Sequence, residues 1–265
     1  MTMRLVASCL ALVFACSQTF AKEMPTDFQA VVDRAHAQFK DVKDGANADY
    51  IPILATVPSD MFGVVIVTRD GQVFSAGEMD YEFSIQSVSK PFTASLVMDQ
   101  QGPAAVREKI GVEPTGLPFN SKMALELYAA RSVNPLVNAG AIAAVSLVEA
   151  DSEEDRWNQI HANLNAYAGR ELPVLEEVYT SEYEESWSNR GIANLLYNYG
   201  RLYSDPEETL RVYTRQCSTG INTLDLGMMG ATLANQGVNP VSGKRVLDAA
   251  HIPELLAIMA VSYTH

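Results

Sequence analysis

At 265 residues the chain is long enough for one large domain or two interleaved layers. Its composition, 48% hydrophobic and 19% charged, is that of an ordinary globular protein. A net charge of −13 leaves no basic patch with which to grip nucleic acid or an anionic membrane, so neither is expected as a partner.

The first residues read as a targeting segment. Arg4 is a short positive region, "LVASCLALVFAC" (5–16) is apolar, and "TFA" ends in a small residue at Ala21. Twelve apolar residues are too few to span a bilayer. Residues 1–21 are therefore expected to be a cleaved secretory signal and 22–265 an exported domain, periplasmic or secreted. The "VFAC" ending at Cys16 weakly resembles a lipoprotein box, but Phe14 is bulky there, so lipid anchoring ranks below simple cleavage. Cys9 and Cys16 leave with the segment, so Cys217 remains alone and no intrachain disulfide is expected. His36, His161, His251 and His265 are scattered without ligand spacing, so neither a metal nor a cofactor is expected.

"DFQAVVDRAHAQFKDV" places Phe28, Val31, Val32, Ala35 and Phe39 at helical spacing. "FGVVIVTRDGQVFSAGE" (62–78) then reads as two strands around Asp70-Gly71, a strong hairpin signal. Val64, Val65, Ile66 and Val67 form a continuous apolar run, the pattern of a strand covered on both faces. From residue 87 onward nearly everything reads helical. "NPLVNAGAIAAVSLVEA" (134–150) should be a central buried helix. "EEDRWNQIHANLNAYAG", "EYEESWSNRGIANLLYNYGRLY", "DPEETLRVYTRQCS", "TLDLGMMGATLANQG" and "IPELLAIMAV" should be amphipathic or buried helices. Pro206 suits a first turn and Gly237 a C-cap. No third strand is evident, and a lone hairpin is marginal. Either helices cover it, or the remaining strands are absent from this sequence.

Within "FSIQSVSKPF" (83–92), Ser87 and Lys90 lie three apart at the mouth of an apolar run. Such a pair arises by chance in about one chain in two of this composition. Pro91 fits only a first turn, which fixes the helix start just before it. Two readings are open on these residues alone. Ser87 caps the helix while Lys90 snorkels to water, or a desolvated lysine takes the serine proton at the helix tip.

The surrounding blocks decide between them. "ADYIP" (48–52), "FSIQSVSK" (83–90), "GVEPTGLPFNS" (111–121), "NPLVNAGAI" (134–142), the "SE" and "NR" of 181–190, "VYTRQCS" (212–218) and "LANQGVNPVSGKRVL" (233–247) occur together in this order. In these the chain resembles the serine-dependent glutaminases, from about Ala48 to near the C-terminus. That resemblance implies an α+β, β-lactamase-like fold, with a helical domain packed beside a mixed α/β-sheet layer. It implies Ser87 as nucleophile and Lys90 as general base. It puts substrate contacts at Tyr50, Asn138, Glu182, Asn189 and Tyr213, with Glu182 suited to an α-ammonium and the neutral donors to a carboxylate and amide. The substrate it implies is L-glutamine, hydrolysed with water to L-glutamate and ammonia, by a homodimer or homotetramer. Glu182 and Asn189 are seven apart, two helical turns, so one helix could aim both at one pocket.

The family's usual arginine directly before "NP" is here Arg131, two residues earlier. Members also continue past "LAIMAVSYTH" with a tyrosine-bearing and then a glycine-rich strand segment. A chain lacking its last sheet strands is therefore expected, with Tyr263 fitting poorly as a replacement tyrosine. Other readings of the same pattern are a catalytically impaired fragment, a binding protein of this fold, or a related penicillin-recognising acyl-serine enzyme.

Overall fold

The structure, a computed structural model, describes residues 27–129 and 132–263. The expected signal segment with Cys9 and Cys16, Arg131, His265 and the side chain of Tyr263 lie outside what is described.

The first helix, α1 (Phe28–Phe39), is capped by the Asp27 carboxylate, which accepts the Ala30 N–H at 3.0 Å. A 3-10 turn (Pro52–Thr56) leads to the hairpin of β1 (Gly63–Val67) and β2 (Val73–Gly77), antiparallel with Val65 opposite Ser75. The turn between them is the expected one. Gly71 adopts φ +85, which a β-carbon would penalise, and its N–H reaches the Thr68 carbonyl at 2.9 Å. A second antiparallel pairing joins β3 (Phe83–Ser84) to β4 (Gly220–Ile221). Each is only two residues long, too short to leave an alternating pattern in the sequence.

Helices fill the rest. They are α2 (Lys90–Gln101), α3 (Pro103–Lys109), α4 (Met123–Leu127), α5 (Asn138–Leu147), α6 (Glu153–Ala168), α7 (Glu176–Glu184), α8 (Trp187–Asn198), α9 (Pro206–Cys217), α10 (Thr223–Ala234) and α11 (Ile252–Tyr263). None among the described residues is long and apolar enough to cross a membrane. As expected, α5 is the central helix: all ten of its residues are buried, and α2, α8 and α9 pack around it. Burying one side chain such as Ile142 contributes about 1.5–3 kcal/mol, so this helix anchors the core. Its small residues let neighbours approach closely. A β-carbon on Gly140 would lie 1.7 Å from the Asn134 carbonyl oxygen.

The hairpin sits between α1, which lies against both strands, and α10, which packs on β1. A β-carbon on Gly227 would meet Val65 and Val67 methyls at 2.8 Å, so α10 rests directly on the strand. The five residues of β1 are nevertheless only half-buried, short of the full cover that their apolar run predicts. Helices shield the hairpin in part, and among the described residues its sheet has two strands.

Two further expectations are corrected. The segment read as one helix through Glu182 and Asn189 breaks at Glu185 and Ser186, where the Ser186 hydroxyl donates to the Tyr183 carbonyl at 2.6 Å. Gly237 is not itself a C-cap. Asn235 caps α10, Gln236 takes the left-handed conformation at φ +57, and the Gly237 N–H returns to the Thr232 carbonyl at 2.9 Å. Pro206 does open α9, behind Asp205, whose carboxylate accepts the N–H groups of Glu207 and Glu208 at 2.9 and 3.0 Å.

Candidate active site

Ser87 stands in a single 3-10 turn, Gln86–Ser89, that runs directly into α2. The Lys90 N–H closes that turn onto the Ser87 carbonyl, so the two residues sit one turn apart. Pro91 occupies the first turn of α2, where its missing N–H costs no hydrogen bond. Gln86, immediately before Ser87, is held at φ +49, a left-handed conformation that costs a non-glycine residue about 1–3 kcal/mol. Strain of this kind beside a candidate nucleophile persists only where neighbours enforce it.

The capping-and-snorkelling reading fails on Lys90. Its side chain is 1% exposed, and Nζ donates to Asn138 Oδ1 at 2.7 Å instead of reaching water. The Phe119 ring lies 5.7 Å from the ammonium. Burial lowers the Lys90 pKa to about 8, against weaker opposing pulls from Cys217 and Glu182. A lysine in this state gives up its proton far more readily than one in water.

Asn138 is the first residue of α5, and its N–H is fixed by the Phe119 carbonyl at 2.9 Å. Its amide passes the lysine's contact onward, Nδ2 donating to Asn189 Oδ1 on α8 at 3.0 Å. Glu182, on α7, is 8% exposed, and Gln86 Nε2 donates to its Oε2 at 3.1 Å. Burial pushes the Glu182 carboxyl up to about 7, against the Gln86 hydrogen bond and the Lys90 charge. Although α7 and α8 are separate helices, the break between them leaves Glu182 and Asn189 facing one space.

That space has two adjoining lobes. One, of about 410 Å³, is lined by Ser87, Lys90, Thr115, Leu117, Leu136 and Val137 among others. The second, of about 310 Å³, is lined by Asn138, Glu182, Ser186, Ser188 and Asn189. Tyr50 and Phe119 border both. Six of the seven residues singled out in the sequence therefore converge, and the Lys90–Asn138 bond joins the lobes. Tyr213 does not join them. It is 2% exposed within α9, beside the buried Cys217 thiol, and lines neither lobe. Cys217 is a free, buried cysteine whose ionisation burial pushes well above the ordinary thiol range.

Sequence reasoning passed over Gln86 and Phe119. Gln86 lies inside the serine–lysine motif but carries no charge or periodicity to mark it. The signal available for Phe119 was its place in the "GVEPTGLPFNS" block.

Comparison with known proteins identifies the family. The family model described as Glutaminase matches residues 45–263. A glutaminase of Brucella canis is 52% identical over 233 residues, which cover 88% of this chain and 74% of that protein. The solved structure of the probable glutaminase ybaS superposes with a TM-score of 0.86 at 50% identity, covering 88% of this chain and 75% of that one. A structure of Mglu in its glutamate form gives 0.84 at 34% identity, covering 91% of this chain and 56% of that one. With a family model spanning most of its length and relatives at this level of identity, the chain belongs to the glutaminase family.

Proposed function

We propose that this glutaminase hydrolyses L-glutamine through a γ-glutamyl ester on Ser87, with Lys90 as general base. Neutral Lys90 takes the Ser87 hydroxyl proton as Oγ attacks the side-chain amide carbon. The ammonium so formed returns that proton to the departing nitrogen, and ammonia leaves. Lys90 then takes a proton from water, which attacks the ester, and Ser87 regains its hydrogen as L-glutamate is freed. Glu182 in its ionised form accepts the substrate ammonium, and Asn189 and Asn138 supply neutral hydrogen bonds to the rest of the amino-acid head. Tyr50, two-thirds exposed where it borders both lobes, contributes a further substrate contact.

One observation carries this reading: a lysine that is 1% exposed, held at about 8, stands one turn from a serine in the cavity wall. A lysine serving only structure would be expected to pair with an acid or to reach water. The test is ammonia release from glutamine by the purified chain. Ser87→Ala and Lys90→Met are each expected to lower kcat by about 10³-fold or more while the protein stays folded. Turnover surviving in Ser87→Ala would sink the acyl-enzyme.

Export is part of the same proposal and rests on the apolar segment of residues 5–16. A homodimer or homotetramer is likewise inferred from the family resemblance, and sedimentation measures it directly.

A further inference from the structure

We infer that Gln216 is a positioning residue for the acylation turn, a role that rests on the functions proposed above for Ser87 and Lys90. Its side-chain amide is the middle of a chain of hydrogen bonds that all run one way. The Thr93 hydroxyl donates to Gln216 Oε1 at 2.5 Å, Gln216 Nε2 donates to Ser89 Oγ at 3.0 Å, and Ser89 Oγ donates to the Gln86 carbonyl at 2.6 Å. Thr93, Gln216 and Ser89 are each 2% exposed or less. Water cannot replace a lost link there, and aligned bonds in so dry a place strengthen one another.

The chain ends on the residue that most needs holding. Gln86 keeps its left-handed backbone directly before Ser87, and α2 does not secure that turn by capping. Ser89 occupies the N-cap position of α2, yet its hydroxyl caps no helix N–H and turns to Gln86 instead. Beside the Ile85 N–H bond to the Thr219 carbonyl (2.9 Å) and the Gln86 side-chain bond to Ser84 Oγ (3.2 Å), a constraint comes from α9, whose last turn carries Gln216 and packs against the 3-10 turn. The Gln86 side chain in turn holds Glu182, so a shift of this turn would move the nucleophile and a substrate-binding carboxylate together. Glutamine suits the position because one planar group offers an acceptor to Thr93 and a donor to Ser89.

A loosened turn misdirects Ser87 without removing any group that binds substrate. The effect belongs in kcat more than in KM. The experiment compares Gln216→Leu and Thr93→Val with two references. Thr93→Ser keeps the hydroxyl and should rescue the chain. Ser95→Ala removes a buried α2 bond from Tyr167 (3.0 Å) that does not reach the turn. Glutamine kinetics, melting temperature and the rate of Ser87 labelling by a fluorophosphonate are measured on each purified full chain.

For Gln216→Leu, kcat and labelling are expected to fall about 10- to 100-fold, with KM within about threefold of wild type. Thr93→Val should follow in the same direction, while Thr93→Ser and Ser95→Ala keep kcat within about twofold. Wild-type kcat in Gln216→Leu overturns the inference, as does an equal loss in Ser95→Ala at an equal melting temperature. Should Gln216→Leu fail to fold, Thr93→Val decides by the same criteria. A wild-type chain that labels at Ser87 but leaves glutamine intact defeats the hydrolytic mechanism alone, and labelling rates then decide the positioning role. A chain that does neither overturns both.

Discussion

Lys90 titrates at about 8 in the fold against 10.5 in solvated chain, so between those values the unfolded state binds the extra proton. Stability therefore rises with pH across that window, and below it the buried ammonium costs about 3 kcal/mol. Replacing Lys90 by Met removes that cost but leaves Asn138 Oδ1 without its donor, a loss of about 1–3 kcal/mol. The net expectation for Lys90→Met is about 1 kcal/mol of added stability at neutral pH, or roughly 2–4 °C in Tm, alongside the loss of kcat proposed above. Calorimetry from neutral to alkaline pH checks it, since the variant should lose the rise that wild type shows between about 8 and 10.5. Glu182 acts with the opposite sign. Its folded value of about 7 exceeds the ordinary 4.5, so its contribution to stability falls as pH rises through that interval. At this scale Ser87, Lys90, Asn138, Glu182 and Asn189 were legible because a family motif marks each of them. Gln86 and Gln216 were not, because an uncharged amide that works through its hydrogen-bond partners resembles any buried polar residue.

Among the elements, α5 has the least room to adjust. A β-carbon on Gly140 would sit 1.7 Å from the Asn134 carbonyl oxygen and 2.9 Å from that of Ser132, both rigid backbone. Gly140→Ala should force α5 away from this loop and cost about 1–3 kcal/mol or more, despite the better helix propensity of alanine. Asn138 lies two residues earlier, so kcat should fall together with melting temperature, and an unchanged Tm would refute the close contact. Helical spacing marked α1, a nearly all-apolar run marked α5, amphipathic or apolar stretches marked α6, α9 and α10, and Asp70-Gly71 marked the hairpin, because burial and turn chemistry write directly into residue order. The α7–α8 break at Glu185 and Ser186 was invisible, as neither glycine nor proline announces it. The half-exposure of β1 was also unreadable, since an apolar run records what a strand can bury and not what its neighbours supply.

Across the whole molecule, the two lobes draw on residues from Tyr50 to Ser262. No local pattern can encode a cavity assembled over such separations, which is why its composition came from resemblance and its geometry from the fold. Its burial of Lys90 also divides the protein into populations. At pH 7 a group that titrates near 8 is neutral in about one molecule in ten, and fewer still combine it with an ionised Glu182. Between about 7 and 8, kcat/KM for glutamine should climb nearly tenfold per pH unit, more steeply below 7 where Glu182 is protonated too, and level off above 8. A profile flat from about 6.5 to 8 would remove Lys90 from the role of base. On the proposed mechanism, most copies under neutral conditions must first shed the Lys90 proton, and many the Glu182 proton as well, before the reaction can start.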